Sequence, residues 1–273
     1  MTGPAYDQAL AIAPGALRAP WTRRVRDAVL LLLALAALVG MAIDLDLAPG
    51  ALMTGFGKLA RFLGEMFPPS SGGQSERILK ALAETFAMAF AGTAIAAVVA
   101  LPLGIIGAKT VVSNPALHFA FRRFLDIFRG VPALVWALIL VSAFGLGPFG
   151  GVIALALADI PNLAKLFSES LENADAKPLE GVRSAGASPL AVMRFGLAPQ
   201  FAPVATSQTL FFLEGNFRNA GVLGIVGAGG IGFELDERIR IFAFDEVAFI
   251  ILLYMIAVAG LDTLSRWFRN RLA

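Results

Sequence analysis

The sequence predicts an all-α, polytopic membrane protein with six transmembrane helices. Of its 273 residues, 58% are hydrophobic and only 15% are charged, which is far more apolar than a soluble domain. The mean hydropathy of +0.75 agrees with residence in a bilayer. Every backbone amide in hydrocarbon must be paired, and the sequence lacks the alternating pattern of barrel strands, so its long apolar runs predict helices.

Six apolar runs approach the length of about 20 residues that a helix needs to cross a bilayer core. They predict spans at about residues 27–43, 79–107, 131–146, 150–170, 201–217 and 246–265. Residues 1–24 then form an N-terminal tail, and residues 25–273 form the transmembrane domain. A basic flank before an apolar run is also typical of a signal peptide. The first run continues past the usual length without a small-residue cleavage site, which favours a retained helix.

Polar residues modify two parts of this plan. Between spans one and two, "ALMTGFGKLARFLGEMFPP" places apolar and charged residues on opposite helical faces, which predicts an amphipathic helix in the membrane interface. Asp159 and Pro161 interrupt span four. A carboxylate inside the membrane is costly unless it is paired, and the sequence offers Lys165 or an asparagine such as Asn162 as its partner.

Basic residues predict the orientation of the chain, because lysine and arginine accumulate in short cytoplasmic loops. They cluster before span one, after span two and after span six: Arg18, Arg23, Arg24, Lys109, Arg122, Arg123, Arg129, Arg266, Arg269 and Arg271. Both termini are therefore expected to be cytoplasmic. The segment between spans four and five is expected on the same side.

The composition excludes several classes of site. The chain has no cysteine and a single histidine, His118, so thiolate chemistry and multi-histidine metal sites are excluded. A formal charge of +2 is too small to indicate nucleic-acid binding. The sequence contains neither the GxxxxGK[ST] phosphate loop nor GxSxG or HExxH, so neither ATP hydrolysis by that loop nor a membrane-embedded hydrolase is indicated.

The segment 177–199 is too polar to cross a membrane and predicts a cytoplasmic hairpin of two short helices. Pro178 suits a first helical position, and Gly186 is a natural left-handed stop. Ser188 with Pro189 predicts the cap and first turn of a second helix, which Pro199 would break before span five. Short helices need a surface to pack on, which favours a docking element. The alternative is a compact loop that only returns the chain to the membrane.

The order Glu180, Gly186 six residues later, then an apolar residue and Pro199 resembles the "EAA" loop of ABC importer permeases. This resemblance implies a coupling helix that inserts into a groove of an ATPase subunit. Gly181 and Val182 stand where the family pattern has two alanines. The implied contact residues are Glu180, Gly181, Val182, Arg183, Ala185 and Gly186.

A second stretch, "EGNFRNAGVLGIVGAGGIG" at Glu214–Gly232, is similar to the phosphonate branch of these importers, which also serves related phosphorus oxyanions. The resemblance implies a type I ABC importer permease in the bacterial plasma membrane, working by alternating access. The implied partners are a second copy of the chain, an ATPase subunit dimer and a soluble phosphonate-binding protein. The chain itself then holds no cofactor, since ATP and Mg²⁺ are bound by the ATPase.

Polar and glycine residues near the end of span five are the candidates for lining an oxyanion pathway, because guanidinium and amide groups can replace water around the anion. They are Gln208, Asn216, Arg218, Asn219, Gly229 and Gly230. The alternative for Arg218 is an ordinary helical ion pair with Glu214. The glycines also satisfy a dinucleotide-binding GxGxxG, but the βαβ context is missing, so close helix packing or a re-entrant segment is favoured.

Two rival functions remain open at this point. A permease for another solute, of the methionine or glycine betaine type, has the same architecture and is separated by uptake competition. A passive channel needs no ATPase partner.

Overall fold

A computed structural model describes residues 21–44, 49–109 and 114–272. The chain divides after Gly64 into two compact units. The first unit holds helix α1 (Trp21–Asp44) and nearly all of helix α2 (Pro49–Glu65). Most of the expected tail 1–24 lies outside the described residues.

The second unit contains nine further α-helices in the described residues and two π-helical turns. The α-helices are α3 (Ser75–Gly107), α4 (Pro115–Arg129), α5 (Ala133–Phe144), α6 (Pro148–Glu172), α7 (Ala176–Ser184), α8 (Pro189–Val192), α9 (Ala198–Leu223), α10 (Gly230–Arg240) and α11 (Phe244–Leu272). The π-helical turns are Met193–Leu197 and Gly224–Ala228. The described residues contain no β-strand, and the all-α prediction is confirmed.

Three helices in the described residues are long and apolar enough to cross a membrane: α3, α6 and Phe244–Arg271 of α11. A fourth candidate is the pair His118–Arg129 and Ala133–Phe144, which is bent by 74° and counts only if the two helices form one span. Helices α1 and α9 cover the predicted first and fifth spans. The multi-pass prediction therefore stands, while the count of six spans is not confirmed.

Helices α3 and α6 run parallel and form the centre of the second unit. The contacts follow the same direction along the two helices: Gly92 lies against Leu155, and twelve residues later in each helix Gly104 lies against Phe167. A Cβ at Gly92 would lie 2.9 Å from the Leu155 Cβ, and one at Gly104 would lie 2.7 Å from the Phe167 Cβ. Small residues at these two positions let the backbones approach closely, which is how membrane helices gain packing energy.

Helix α9 runs antiparallel to α3 and to α11. Its first half packs near Ala96 and Ala100 of α3, whereas its last turns pack near Met88. On its other side, Phe217 contacts Tyr254 of α11, and the earlier Glu214 pairs with the later Arg269. The second unit thus has two ends. We call the end with the last turns of α3, α6 and α11 the hairpin end, because α7 and α8 follow there, and the other the fold-back end.

Two expectations about proline are wrong. Pro161 does not interrupt span four, because α6 continues through it from Pro148 to Glu172. Pro199 does not break the second hairpin helix either. The helical path from Pro189 passes through the π-helical turn Met193–Leu197 into α9, where Pro199 lies in the first turn. Pro199 has no amide to donate, and the wider π turn, in which the Ala198 amide bonds to the Met193 carbonyl, accommodates it.

Candidate functional site

Local sequence signals build the two hairpin helices. Asp175 caps α7 by accepting a hydrogen bond from the Lys177 amide at 3.1 Å. After α7 the chain turns at Gly186, whose φ of +78° is accessible to glycine without strain. Ser188 caps α8 by accepting from the Ala191 amide at 3.4 Å, with Pro189 in the first position. The hairpin therefore forms where the residue pattern places it, although α7 begins two residues before Pro178.

The hairpin presents its predicted contact residues outward. Glu180, Gly181, Arg183, Ala185 and Gly186 are exposed, and Val182 is half-buried. The opposite side packs closely on the rest of the chain. A Cβ added to Gly196 would lie only 3.2 Å from the Leu179 Cα. Val192 is buried as well. The hairpin is therefore packed on one side and exposed on the side that carries the predicted contact residues. We call this exposed side the knob.

Gln200 fastens the hairpin to α9. Its Oε1 accepts a hydrogen bond from the Asp175 amide at 2.9 Å. Its Nε2 donates to the Asp175 carbonyl at 3.2 Å and to the Gly196 carbonyl at 2.9 Å. One side chain thus joins the start of α7, the π-helical turn and the first turn of α9. Gln200 is not among the predicted site residues, because nothing local to residue 200 marks a partner 25 residues earlier in the chain.

A buried polar cluster connects the middle of three helices. Asn216 of α9 is 2% exposed, and its Nδ2 donates to Thr93 Oγ1 at 2.8 Å and to the Asp159 carboxylate. The partner of Asp159 is therefore an asparagine, as expected, but it is Asn216 and neither Asn162 nor Lys165. The Lys165 ammonium lies 3.9 Å from Glu169 instead, and the Asn162 amide bonds to the Ala158 carbonyl and to Arg129. A partner on a distant helix cannot be read from local spacing.

Arg218 and Glu214 do not pair with each other, so the helical ion pair given as the alternative for Arg218 is wrong. Arg218 Nη1 lies 3.2 Å from Asp262 Oδ1, and Glu214 pairs with Arg269, so both groups bind α11. The Arg218 side chain remains 49% exposed and Asn219 is exposed, while Gln208 is half-buried. These polar groups lie along the helix that carries the hairpin at its other end.

At the fold-back end the glycine-rich segment reverses the chain from α9 into α10. Gly227, Gly229 and Gly230 have φ of +95°, +81° and +70°, values that residues with a side chain rarely adopt. The reversal brings Gly232 onto Gly221 so tightly that a Cβ at Gly232 would overlap the Gly221 carbonyl oxygen. Gly229 and Gly230 line a cavity of about 250 Å³, and Glu84 and Glu234 line it as well.

Arg238 locks the folded-back helix in place. It is 2% exposed, and its Nε lies 2.9 Å from Glu246 Oε2 while Nη1 donates to the Glu234 carbonyl at 3.0 Å and to its carboxylate. Its Nη2 donates to Gln74 Oε1 at 3.0 Å. This network ties α10 to the first turn of α11 and to the residue that precedes α3. The spacing of Glu234 and Arg238 was the only sequence signal for it.

The structure does not gather the six candidate pathway residues around one cavity. Asn216 faces α3 and α6, Arg218 faces α11, and the glycines contact Glu84 and Thr85 of α3. Gly229 and Gly230 do share a cavity.

The sequence that forms this fold matches a known family. Residues 100–273 match the family described as the inner membrane component of binding-protein-dependent transport systems. The chain belongs to this family. It is thus a multi-pass inner-membrane component of a transport system that depends on a substrate-binding protein, and it is a permease subunit rather than an enzyme.

Two similar proteins carry names that refer to phosphorus compounds. The phosphite transport system permease protein PtxC of Stutzerimonas stutzeri is 38% identical over 214 residues, which are 78% of each chain. The phosphate-import permease protein PhnE of Mycolicibacterium smegmatis is 36% identical over 228 residues, which are 84% of this permease and 43% of that longer protein.

A solved structure supports the architecture. A chain of the methionine ABC transporter MetNI, in an inward-facing conformation, has a TM-score of 0.62, with 72% of this permease and 96% of that chain covered. At 22% identity this likeness shows the fold alone. The predicted type I importer fold is thereby confirmed.

Proposed function

We propose that this permease forms the membrane pathway of an ATP-driven importer for phosphonate or a related phosphorus oxyanion. The observation that carries the proposal is its identity of 36–38% with the phosphite and phosphate permeases over 78–84% of its length. An exposed arginine on the helix that continues from the hairpin supports the same substrate class. One nitrogen of the Arg218 guanidinium donates to Asp262. Its remaining N–H groups can donate hydrogen bonds to the oxygens of such an anion.

The hairpin end is proposed to be cytoplasmic. Basic residues outnumber acidic ones there in the last turns of α11, which carry Arg266, Arg269 and Arg271 after Asp262. Lys109 and Arg122 add positive charge at the same end, since the Lys109 amide and the Arg122 guanidinium both bond to Glu172. Excess positive charge on the cytoplasmic side is the general rule for short membrane loops. The end of α11 is then cytoplasmic, and the basic residues before the first predicted span favour the same side for the N-terminus.

Two copies of the permease are proposed to enclose the pathway, with one ATPase docked on each hairpin and the binding protein at the fold-back end. ATP and Mg²⁺ belong to the ATPase chains. Movement of the ATPases pushes the knob that contains Glu180, and Gln200 transmits the push to α9. Because the helical path is continuous from Pro189 to Leu223, α9 moves as a rod and displaces the glycine-rich reversal at its far end. This lever gives alternating access.

The test is reconstitution of the permease with its ATPase and binding protein in proteoliposomes. Phosphite, phosphate and methylphosphonate are compared with methionine and glycine betaine as stimulants of ATP hydrolysis and as transported solutes. We expect a phosphorus oxyanion to stimulate both. Stimulation by methionine or glycine betaine alone would overturn the substrate assignment, and solute flux that needs no ATP would support the passive channel instead.

Glu180→Ala tests the proposed lever in the same vesicles. We expect it to lower ATP-driven uptake about tenfold or more, as loss of a charge-assisted hydrogen bond does at a buried interface. Asp27→Ala is the control, because Asp27 is an acid with a 60% exposed side chain that pairs with the neighbouring Arg26 outside the hairpin. Equal loss in both variants would argue against a specific ATPase contact at Glu180.

A further inference from the structure

A cavity of about 320 Å³ lies at the hairpin end, between α4, α6 and the end of α3. Its size falls in the range of small-ligand sites. Four basic side chains line it, Lys109, Arg122, Arg123 and Lys165, against the single acid Asp126. No residue of α9 lines it, so the cavity is separate from the proposed pathway residues.

Two nitrogen atoms at this cavity have no hydrogen-bond partner among the described residues. One is the Nε of Arg122, whose Nη2 is fixed by Ser168 Oγ at 3.2 Å and by Glu172 Oε1 at 3.0 Å. The other is the Nε2 of His118, a side chain that is only 9% exposed and whose nearest acid oxygen, on Glu172, is 3.7 Å away. Buried polar groups without partners are rare and call for an explanation.

The acids around the cavity are already occupied. Asp126 lies within 3.2 Å of Arg123 and 3.4 Å of Arg129. Glu172 accepts from Arg122 and from the Lys109 amide at 2.8 Å. The Lys109 ammonium forms no ion pair with a described residue, and Lys165 has only a loose contact of 3.9 Å with Glu169. Positive charge is therefore left without compensation around a space that can hold a small group.

We propose that this cavity binds a phosphate-type oxyanion, carried either by a free anion or by a lipid headgroup. A tetrahedral oxyanion supplies the acceptors that lysine ammonium and arginine guanidinium groups lack here, in charge-assisted hydrogen bonds. Basic pockets between membrane helices on the cytoplasmic side are suited to anionic headgroups. Bound between α4 and α6, the anion holds the base of the hairpin, since α7 begins four residues after Glu172. The inference does not depend on which solute is transported.

The experiment uses the full-length permease in nanodiscs of two compositions. In discs of phosphatidylcholine, inorganic phosphate is titrated and binding is measured by calorimetry. In discs that also contain phosphatidylglycerol, retained lipids are counted by native mass spectrometry. The variants are Arg122→Gln, Lys165→Gln and Arg122→Lys, and the control is Lys80→Gln, which removes an exposed lysine at the fold-back end.

We expect one of the two ligands to bind saturably and to be weakened about tenfold or more by Arg122→Gln and by Lys165→Gln. Arg122→Lys keeps the charge but not the planar fork and is expected to lose less, while Lys80→Gln binds as the parent does. Phosphate binding identifies a free-anion site, and retained phosphatidylglycerol identifies a headgroup site. Binding of neither ligand, or binding unchanged in both glutamine variants, overturns the proposal. If Arg122→Gln fails to fold, the half-exposed Lys165 decides the result.

Discussion

The Gln200 side chain forms two hydrogen bonds with Asp175, at 2.9 and 3.2 Å. They join the first turn of α9 to the residue that precedes α7. Both bonds use the main chain of Asp175, while the Asp175 carboxylate caps α7. Gln200 therefore links α7 directly to the first turn of α9, beside the packing of Leu179 on Gly196.

Gln200→Ala is expected to loosen the lever without preventing docking. It removes three hydrogen bonds, each with a net value of about 1 kcal/mol. We expect the ATPase to bind as before while solute uptake per ATP falls several-fold, measured in proteoliposomes. Thr206→Ala is the control, because Thr206 is an exposed side chain of α9 that bonds only to the Ala202 carbonyl in its own helix. Unchanged coupling in Gln200→Ala would contradict the proposed route.

Asn216→Leu is expected to destabilise the permease by about 1–3 kcal/mol, because it leaves the buried Asp159 carboxyl and Thr93 hydroxyl without their shared donor. Thermal unfolding in detergent measures the change. The double variant Asn216→Leu with Asp159→Leu should recover part of the loss, since removing both partners costs less than orphaning one. If Asp159→Leu destabilised the Asn216→Leu variant as much as it destabilises the parent, the two residues would not interact.

Local signals predicted what depends on local chemistry. The Ser188 cap, the Pro189 start and the Gly186 turn each act within a few residues, and the structure shows all three. Long apolar runs gave the helices for a similar reason, since hydrocarbon leaves the backbone few alternatives.

Long-range pairs were not predictable from one sequence. Asp159 has Lys165 and Asn162 within two turns, yet its partner is Asn216, 57 residues away, because α9 passes it in the core. Glu214 and Arg218 have ideal helical spacing, but α11 offers both a partner of opposite charge. Which of several possible partners wins is decided by helix packing, and that information is not in the local pattern.

Arg238→Met is expected to free α10 from its neighbours. The arginine is 2% exposed and pairs with the Glu234 and Glu246 carboxylates. Its loss leaves Glu246 without this partner and Glu234 with Arg77 alone, at a cost of about 3–5 kcal/mol. Hydrogen exchange of residues 230–240 should accelerate strongly. Arg240→Met is the matched control in the same helix, because its side chain is 73% exposed and Asp236 is its ion-pair partner among the described residues. Similar exchange in the two variants would mean that the buried network does not hold α10.

Gly232→Ala is expected to prevent the tight fold-back of α10 on α9. An added Cβ would overlap the Gly221 carbonyl oxygen, which belongs to a helix backbone and cannot move aside cheaply. We expect a loss of stability and of solute uptake, measured by thermal unfolding and by transport in proteoliposomes. Gly215→Ala is the control, because a Cβ there meets nothing within 4 Å and alanine is the better helix former by about 1 kcal/mol. If both variants behaved as the parent does, close contact at the reversal would not matter for the fold or for transport.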